Sequence, residues 1–314
     1  MKKTYLLGFL LFIVQYNFSQ IVRTKLPDTI SYWSKSNKVG LDISQITFVN
    51  WNAGGNTSIS GLAKGNFVRE YSKKHLNWKN ELIIRYGINK QEGQEVRKTD
   101  DQLQINSTFG FKRDTISNLF YSGKLNFNTQ FANGYSYPNT ENPISKPFAP
   151  AYFFLGIGGE YSRKDLNLNV YLSPLTQKTT IVLDRKLSNE GAFGVDPAII
   201  DPTTGEVLQN GARSRTEVGI LITNQWEKEV FKNINLEHRI SLYTDYLNNF
   251  GNVDIDWQLQ LNMTINEYVR ANIGTHIIYD DDIKAKEERD GQQIIVGPKL
   301  QLKQLLGVGL VYTF

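Results

Sequence analysis

Residues able to do chemistry are sparse in this chain and scattered. Its 314 residues hold three histidines, His75, His238 and His276, and no cysteine. Without cysteine, thiolate metal sites and thiol catalysis are excluded. A lipid-hydrolysing site would need Ser, His and an acid or amide gathered at a membrane-facing rim. His238 is the one histidine expected on an apolar strand face. The matching positions of the following segment are Trp257, Leu259 and Leu261, with no serine beside it. His75 falls in a turn, and His276 falls on a polar face with Arg270 and Asn272. The run Asp280-Asp281-Asp282 could offer oxygens to Ca²⁺, but without an EF-hand frame a solvated loop is the plainer reading. No GxSxG elbow, HExxH pair or glycine-rich phosphate loop occurs in the strand–helix context each requires. The expectation is a non-enzyme with no catalytic residues, no metal and no cofactor, a lipid-modifying enzyme ranking third among the functions considered.

The elements that must hold these residues announce themselves at the carboxyl end. Residues 300–314 read LQLKQLLGVGLVYTF. Leu300, Leu302, Leu306, Val308, Leu310, Tyr312 and Phe314 fall on one face, a period of two with an aromatic terminus. Leu310, Tyr312 and Phe314 resemble the signal read by outer-membrane barrel-assembly machinery. At the other end, MKKTYLLGFLLFIVQYNFSQ has Lys2 and Lys3, an apolar run and a polar close, the layout of a signal peptide over residues 1–20. No later apolar stretch approaches the roughly 18 residues of a membrane-spanning helix. A closed barrel crosses without one, because all its backbone groups pair between strands. The mean hydropathy of −0.37 suits a wall with one wet face. Without Lys2 and Lys3 the formal charge of +4 falls to +2, no nucleic-acid footprint.

Twelve alternating segments follow, at 39–50, 57–71, 76–89, 102–112, 119–131, 151–161, 166–182, 214–227, 233–246, 252–265, 268–279 and 300–314. The clearest, Asn252 to Ile265, obeys the period at every position, and Pro174 suggests a bulge in the seventh. Every second connection is a tight turn. The alternate set is mostly longer, at 91–101, 132–150, 183–213 and 281–298, with shorter ones at 51–56 and 247–251. That sorting is the asymmetry of outer-membrane barrels, and it sets both termini on the periplasmic side. The predicted fold is all-β, a closed antiparallel transmembrane β-barrel of about 12 strands over residues 38–314. Residues 21–37 form an N-terminal periplasmic segment.

Trp78, Trp226, Trp257 and Tyr246 fall on outward faces, where amphipathic rings favour the membrane interface. The inward faces carry Lys79, Glu81, Arg85, Lys112, Lys124, Glu217, Glu237, Arg239, Asp254, Asp256, Arg270 and Lys303, a mixture of both signs. A dedicated anion or cation pore would show one dominant sign. Mixed charge allows a narrow hydrated channel, or charges that pair across the lumen and plug it.

The stretch GLDISQITFVNWNAGGNTSISG from Gly40 and the WKNELIIRYG from Trp78 resemble the Bacteroidetes-type family catalogued as domain of unknown function 3078. The LSPLTQKTTIVLD from Leu172 and FGVDP from Phe193 look like the same family. The resemblance implies an outer-membrane or exported β protein and brings no activity or catalytic residues. The expected function is an outer-membrane channel for small polar solutes, surrounded by outer-membrane lipid and inserted by the barrel-assembly machinery. The alternative is a closed structural or interaction barrel with partner-binding loops.

Overall fold

The computed structural model describes residues 31–47, 57–248, 250–289 and 292–314. The segment 1–20 read as a signal peptide, residues 21–30 and the Trp51–Gly55 loop lie outside the described residues. Twelve strands build the wall: β1 (Trp33–Ile46), β2 (Ser58–Lys73), β3 (Leu76–Gln91), β4 (Arg97–Phe111), β5 (Leu119–Thr129) and β6 (Ala151–Arg163). The second half is β7 (Leu168–Ile181), β8 (Ser214–Phe231), β9 (Ile234–Asp245), β10 (Asp254–Thr264), β11 (Val269–Tyr279) and β12 (Gln301–Thr313). Each pairs antiparallel with the next, and β12 pairs with β1, Leu310 opposite Leu41, so the barrel closes and leaves no unpaired edge.

The expected strands are all present, with shifted ends. β1 starts at Trp33 and stops at Ile46, so residues 33–37, assigned above to a periplasmic segment, belong to the wall. Hydrophobic periodicity is blind to this stretch because after Trp33 its outward positions are Lys35 and Asn37, and its inward ones are Ser34 and Ser36. Hydrogen bonding holds it instead: Arg69 Nη1 donates to Asn37 Oδ1 at 2.8 Å, and Asn37 Nδ2 donates to the Phe314 carbonyl at 2.9 Å. β4 likewise starts at Arg97, in a charged stretch read as loop, leaving only residues 92–96 as connection.

Short turns at 74–75, 112–118, 164–167, 232–233 and 265–268 gather at one end. The other end carries 47–57, 92–96, 130–150, 182–213, 246–253 and 280–300. Within 182–213, Asp184 caps the short helix α1 (Arg185–Asn189), its carboxylate accepting from the Leu187 amide at 3.0 Å. Leu187, Val182 and Val195 bury against Ala149 with Ala192, Phe193 and Ala212 around them, so this long connection has an apolar core of its own.

The wall is inside-out relative to a soluble sheet. Among the described residues, 14 buried side chains are polar or charged and 9 are apolar. Leu41, Ile105, Phe109, Leu155, Leu172, Ile273, Leu306 and Leu310 stand exposed on the outer face. The bulge suggested by Pro174 is present. Ile157 faces Leu175 and Gly159 faces Leu172, so Ser173 and Pro174 stand together against Gly158. A Cβ on Gly158 would lie 2.0 Å from the Leu172 carbonyl oxygen, which explains glycine there.

Candidate functional site

The period of two sends one face of every strand into the lumen, and the register decides which charges meet. Inward amides form a ladder: Gln102 Nε2 donates to Gln104 Oε1 at 2.9 Å, and Gln104 to Asn106 Oδ1 at 3.1 Å. Asn126 then donates to Asn106 Oδ1 at 2.5 Å, and Asn106 to Glu81 Oε2 at 3.1 Å. Asn66 gives Glu81 a further bond at 2.7 Å. On the far wall Gln260 Nε2 donates to Asn262 Oδ1 at 2.7 Å, and His276 Nε2 lies 2.9 Å from Asp256 Oδ1.

Charges reach across this polar interior. Arg239 of β9 donates from Nε to Glu237 at 2.7 Å and lies 3.7 Å from Glu81 of β3. In a ring of twelve, β3 and β9 are diametrically opposed. A circular wall of twelve strands tilted at about 40° would be about 25 Å across between Cα atoms. An arginine and a glutamate spanning a 3.7 Å gap reach only about 16 Å in full extension. The wall is therefore drawn inward where the two meet. Lys303 of β12 likewise reaches Asp100 of β4 at 3.1 Å, and Asp100 also holds Arg85 at 2.6 Å.

A second cluster lies toward the long loops. Lys178 Nζ stands 2.6 Å from Asp254, 3.2 Å from Asp280 and 3.6 Å from Glu217, with its side chain 4% exposed. Arg215 adds bonds to Glu217 and Asp282, both at 2.9 Å. The loop triplet is thus engaged with protein: Asp280 on Lys178, Asp282 on Arg215, and Asp281 accepting from Asn252 at 2.7 Å. Beneath Lys178 an inward apolar group thickens the wall. Tyr171, Leu221 and Tyr243 pack together, and Phe154 meets Tyr243 edge-on at 5.9 Å. Lys124 lies 4.3 Å over the Tyr171 ring and 3.7 Å from Glu160.

Of the inward residues named from sequence, Glu81 with Arg239 and Glu237, Arg85 with Lys303, and Glu217 with Asp254 are brought together through these contacts. Lys79 is exposed at the turn end of β3, paired with Glu70 of β2, and Arg270 faces Gly309 of β12. Lys112 is a correction. It follows the end of β4, and its Nζ donates to the Thr115 carbonyl at 2.8 Å, closing a turn instead of lining the lumen. Asp100 and Lys178 were missed for different reasons. Asp100 lies where β4 was read as loop, and Lys178 follows the Pro174 bulge, which moves the inward parity from odd to even numbers.

On the outer face Trp226 stands directly opposite His238, and Trp257 opposite Ile240. The Trp257 indole donates to His238 Nδ1 at 2.9 Å. Trp78 is exposed and packs at 5.9 Å on Trp33, near the turn end. Tyr246 follows β9 at the loop end and stacks on Phe250 at 5.8 Å. Leu310, Tyr312 and Phe314 are exposed, Tyr312 and Phe314 stacked at 5.5 Å. In the loops, burial pulls the Asp184 carboxyl up, but the Lys146 ammonium and the α1 amides outweigh it and hold it below its ordinary value.

Residues 43–135 match the model of a family described as a protein of unknown function (DUF3078). No curated protein matches the chain significantly. Among solved structures it is similar to an outer-membrane channel of Pseudomonas putida F1, at 9% identity and a TM-score of 0.39. That alignment covers 92% of this chain and 100% of the other. The translocator domain of the autotransporter NalP from Neisseria meningitidis aligns at 10% identity and a TM-score of 0.36, over 91% and 90%. OmpF of Salmonella typhi aligns at 8% and 0.28, over 90% and 97%.

Proposed function

We propose that this barrel is embedded in the outer membrane and passes ions or small polar solutes through a lumen narrowed by the Glu81–Arg239 bridge. Short turns and the described chain ends face the periplasm, and the long loops face outward. The observation that carries the reading is that bridge, 3.7 Å between side chains from opposite walls amid an amide-lined interior. Asn and Gln side chains hydrate without holding an ion in place, whereas an ion pair sets the narrowest level and its selectivity. The side chain of Asp256 is 45% exposed, which suits a water-filled interior on the β10 side. No catalytic role is assigned.

The second reading, a closed structural barrel, has its own support in Lys178 and its carboxylates, which tie β7 to β8, β10 and the end of β11. Conductance in a planar bilayer separates the two. Under the channel reading the protein gives uniform steps, and the double variant Glu81→Gln with Arg239→Gln gives larger ones with altered cation preference. Silence from both folded proteins would replace the channel with the closed barrel.

A further inference from the structure

A recess opens on the outer wall near the turn end of β7 to β10, lined by Leu168, Asn224, Trp226, Leu236, His238 and Leu259. Polar side chains on a lipid-facing wall are costly unless their groups are satisfied. Half of the histidine is accounted for. Its Nδ1 accepts from the Trp257 indole, which donates only, so the neutral ring carries its proton on Nε2. Among the described residues nothing accepts that proton, and nothing bonds the Asn224 amide. Lys228 lies one pleat repeat nearer the turn than His238, since Lys228 faces Leu236 and Trp226 faces His238. One repeat is about 7 Å along the strand. The Lys228 ammonium lies 6.0 Å over the Trp226 ring and has no acidic partner among the described residues. The row of Leu168, Trp226, His238 and Leu259 lies one repeat beyond Lys228 and Leu236, and Asn224 and Ile240 lie one repeat beyond that. Cation, ring donor and amide donor thus succeed one another away from the turn at the spacing of a phosphate and its glycerol esters, with the apolar pair Ile222 and Leu242 beyond them.

We propose that the recess holds one phospholipid of the leaflet nearest the short turns. Its phosphate sits against Lys228, and its ester carbonyls accept from His238 Nε2 and the Asn224 amide. Leu168, Leu236 and Leu259 flank the headgroup and glycerol, and one acyl chain runs on past Ile240 along Ile222 and Leu242. The site rests on the membrane embedding proposed above and not on an open lumen, so conductance recorded in parallel tells the two apart.

The test is titration of the delipidated, folded full-length protein with dioleoyl phosphatidylglycerol, counting bound lipid by native mass spectrometry. The wild type binds one lipid more tightly than the rest. Lys228→Gln and Asn224→Leu each weaken that event at least tenfold. Lys35→Gln, which removes an exposed lysine from β1 on another part of the wall, leaves it unchanged. Asn224→Leu only makes the wall more apolar, so folding of that variant is not at risk. Equal binding by the wild type and both recess variants, or equal binding of dioleoylglycerol without its phosphate, would overturn the assignment.

Discussion

Replacing Lys178 with methionine tests how dry the lumen is at the level of its largest charge cluster. The lysine is the shared partner of Asp254, Asp280 and Glu217 at 2.6, 3.2 and 3.6 Å. Only Arg215 remains to offset Glu217 and Asp282. Methionine keeps the aliphatic stem and most of the volume, so the change isolates the charge. If the cluster is as desolvated as a 4% exposed ammonium implies, deleting one partner of a buried pair costs about 3–5 kcal/mol. If water fills the site, the pairs resemble surface ones, worth about 0–1 kcal/mol. Urea unfolding of the barrel in lipid vesicles reads the difference as a shift in midpoint at constant slope. Arg163→Gln serves as control: its partner Asp165 is in a turn and exposed, and no measurable shift is expected. A Lys178→Met loss below about 1 kcal/mol would refute the dry cluster and weaken the closed-barrel reading with it.

Two further outcomes are expected. Asp184→Ala removes the cap of α1 and the ion pair with Lys146, and should loosen residues 182–189 by about 1 kcal/mol, read as faster exchange of the Leu187 amide. Because the folded Asp184 carboxyl titrates below its ordinary value, its contribution is present above about pH 4 and lost as the pH falls through the depressed value. An unchanged protection factor of the Leu187 amide between pH 7 and 3 in the wild type, with the intrinsic pH dependence of exchange divided out, would contradict this. Deleting Phe314 removes its stack on Tyr312 and the two bonds to Asn37, from backbone amide to Asn37 carbonyl at 3.0 Å and from Asn37 Nδ2 at 2.9 Å. Assembly of the variant in cells, followed by heat-modifiable gel mobility, should fall several-fold. Full-efficiency assembly would remove the terminal-signal reading.

The strands were legible in the sequence wherever one face was apolar, and the exceptions share one cause. At Trp33–Lys38 the outward positions include Lys35 and Asn37, and at Arg97–Asp101 all five residues are polar or charged. Hydrophobic alternation carries no signal there, and pairing with β2, β12 and β3 supplies the order that side-chain burial does not. The same limit governed the lumen. A period of two says which residues face inward, but which of them meet depends on register, and a single bulge reverses parity beyond it. Pro174 was visible as a bulge, and carrying the parity change through it would have put Lys178 inside. Nothing local pairs Glu81 with Arg239, because they are 158 positions apart and their meeting needs the closed ring of twelve and an inward-drawn wall. Geometry sorts the mixed charges into two levels: a bridge set among amides, and a lysine nearly sealed among carboxylates. Under the proposed channel reading, solutes pass the first level only where the second leaves room, which makes the Lys178 cluster the place where the two readings of the barrel diverge.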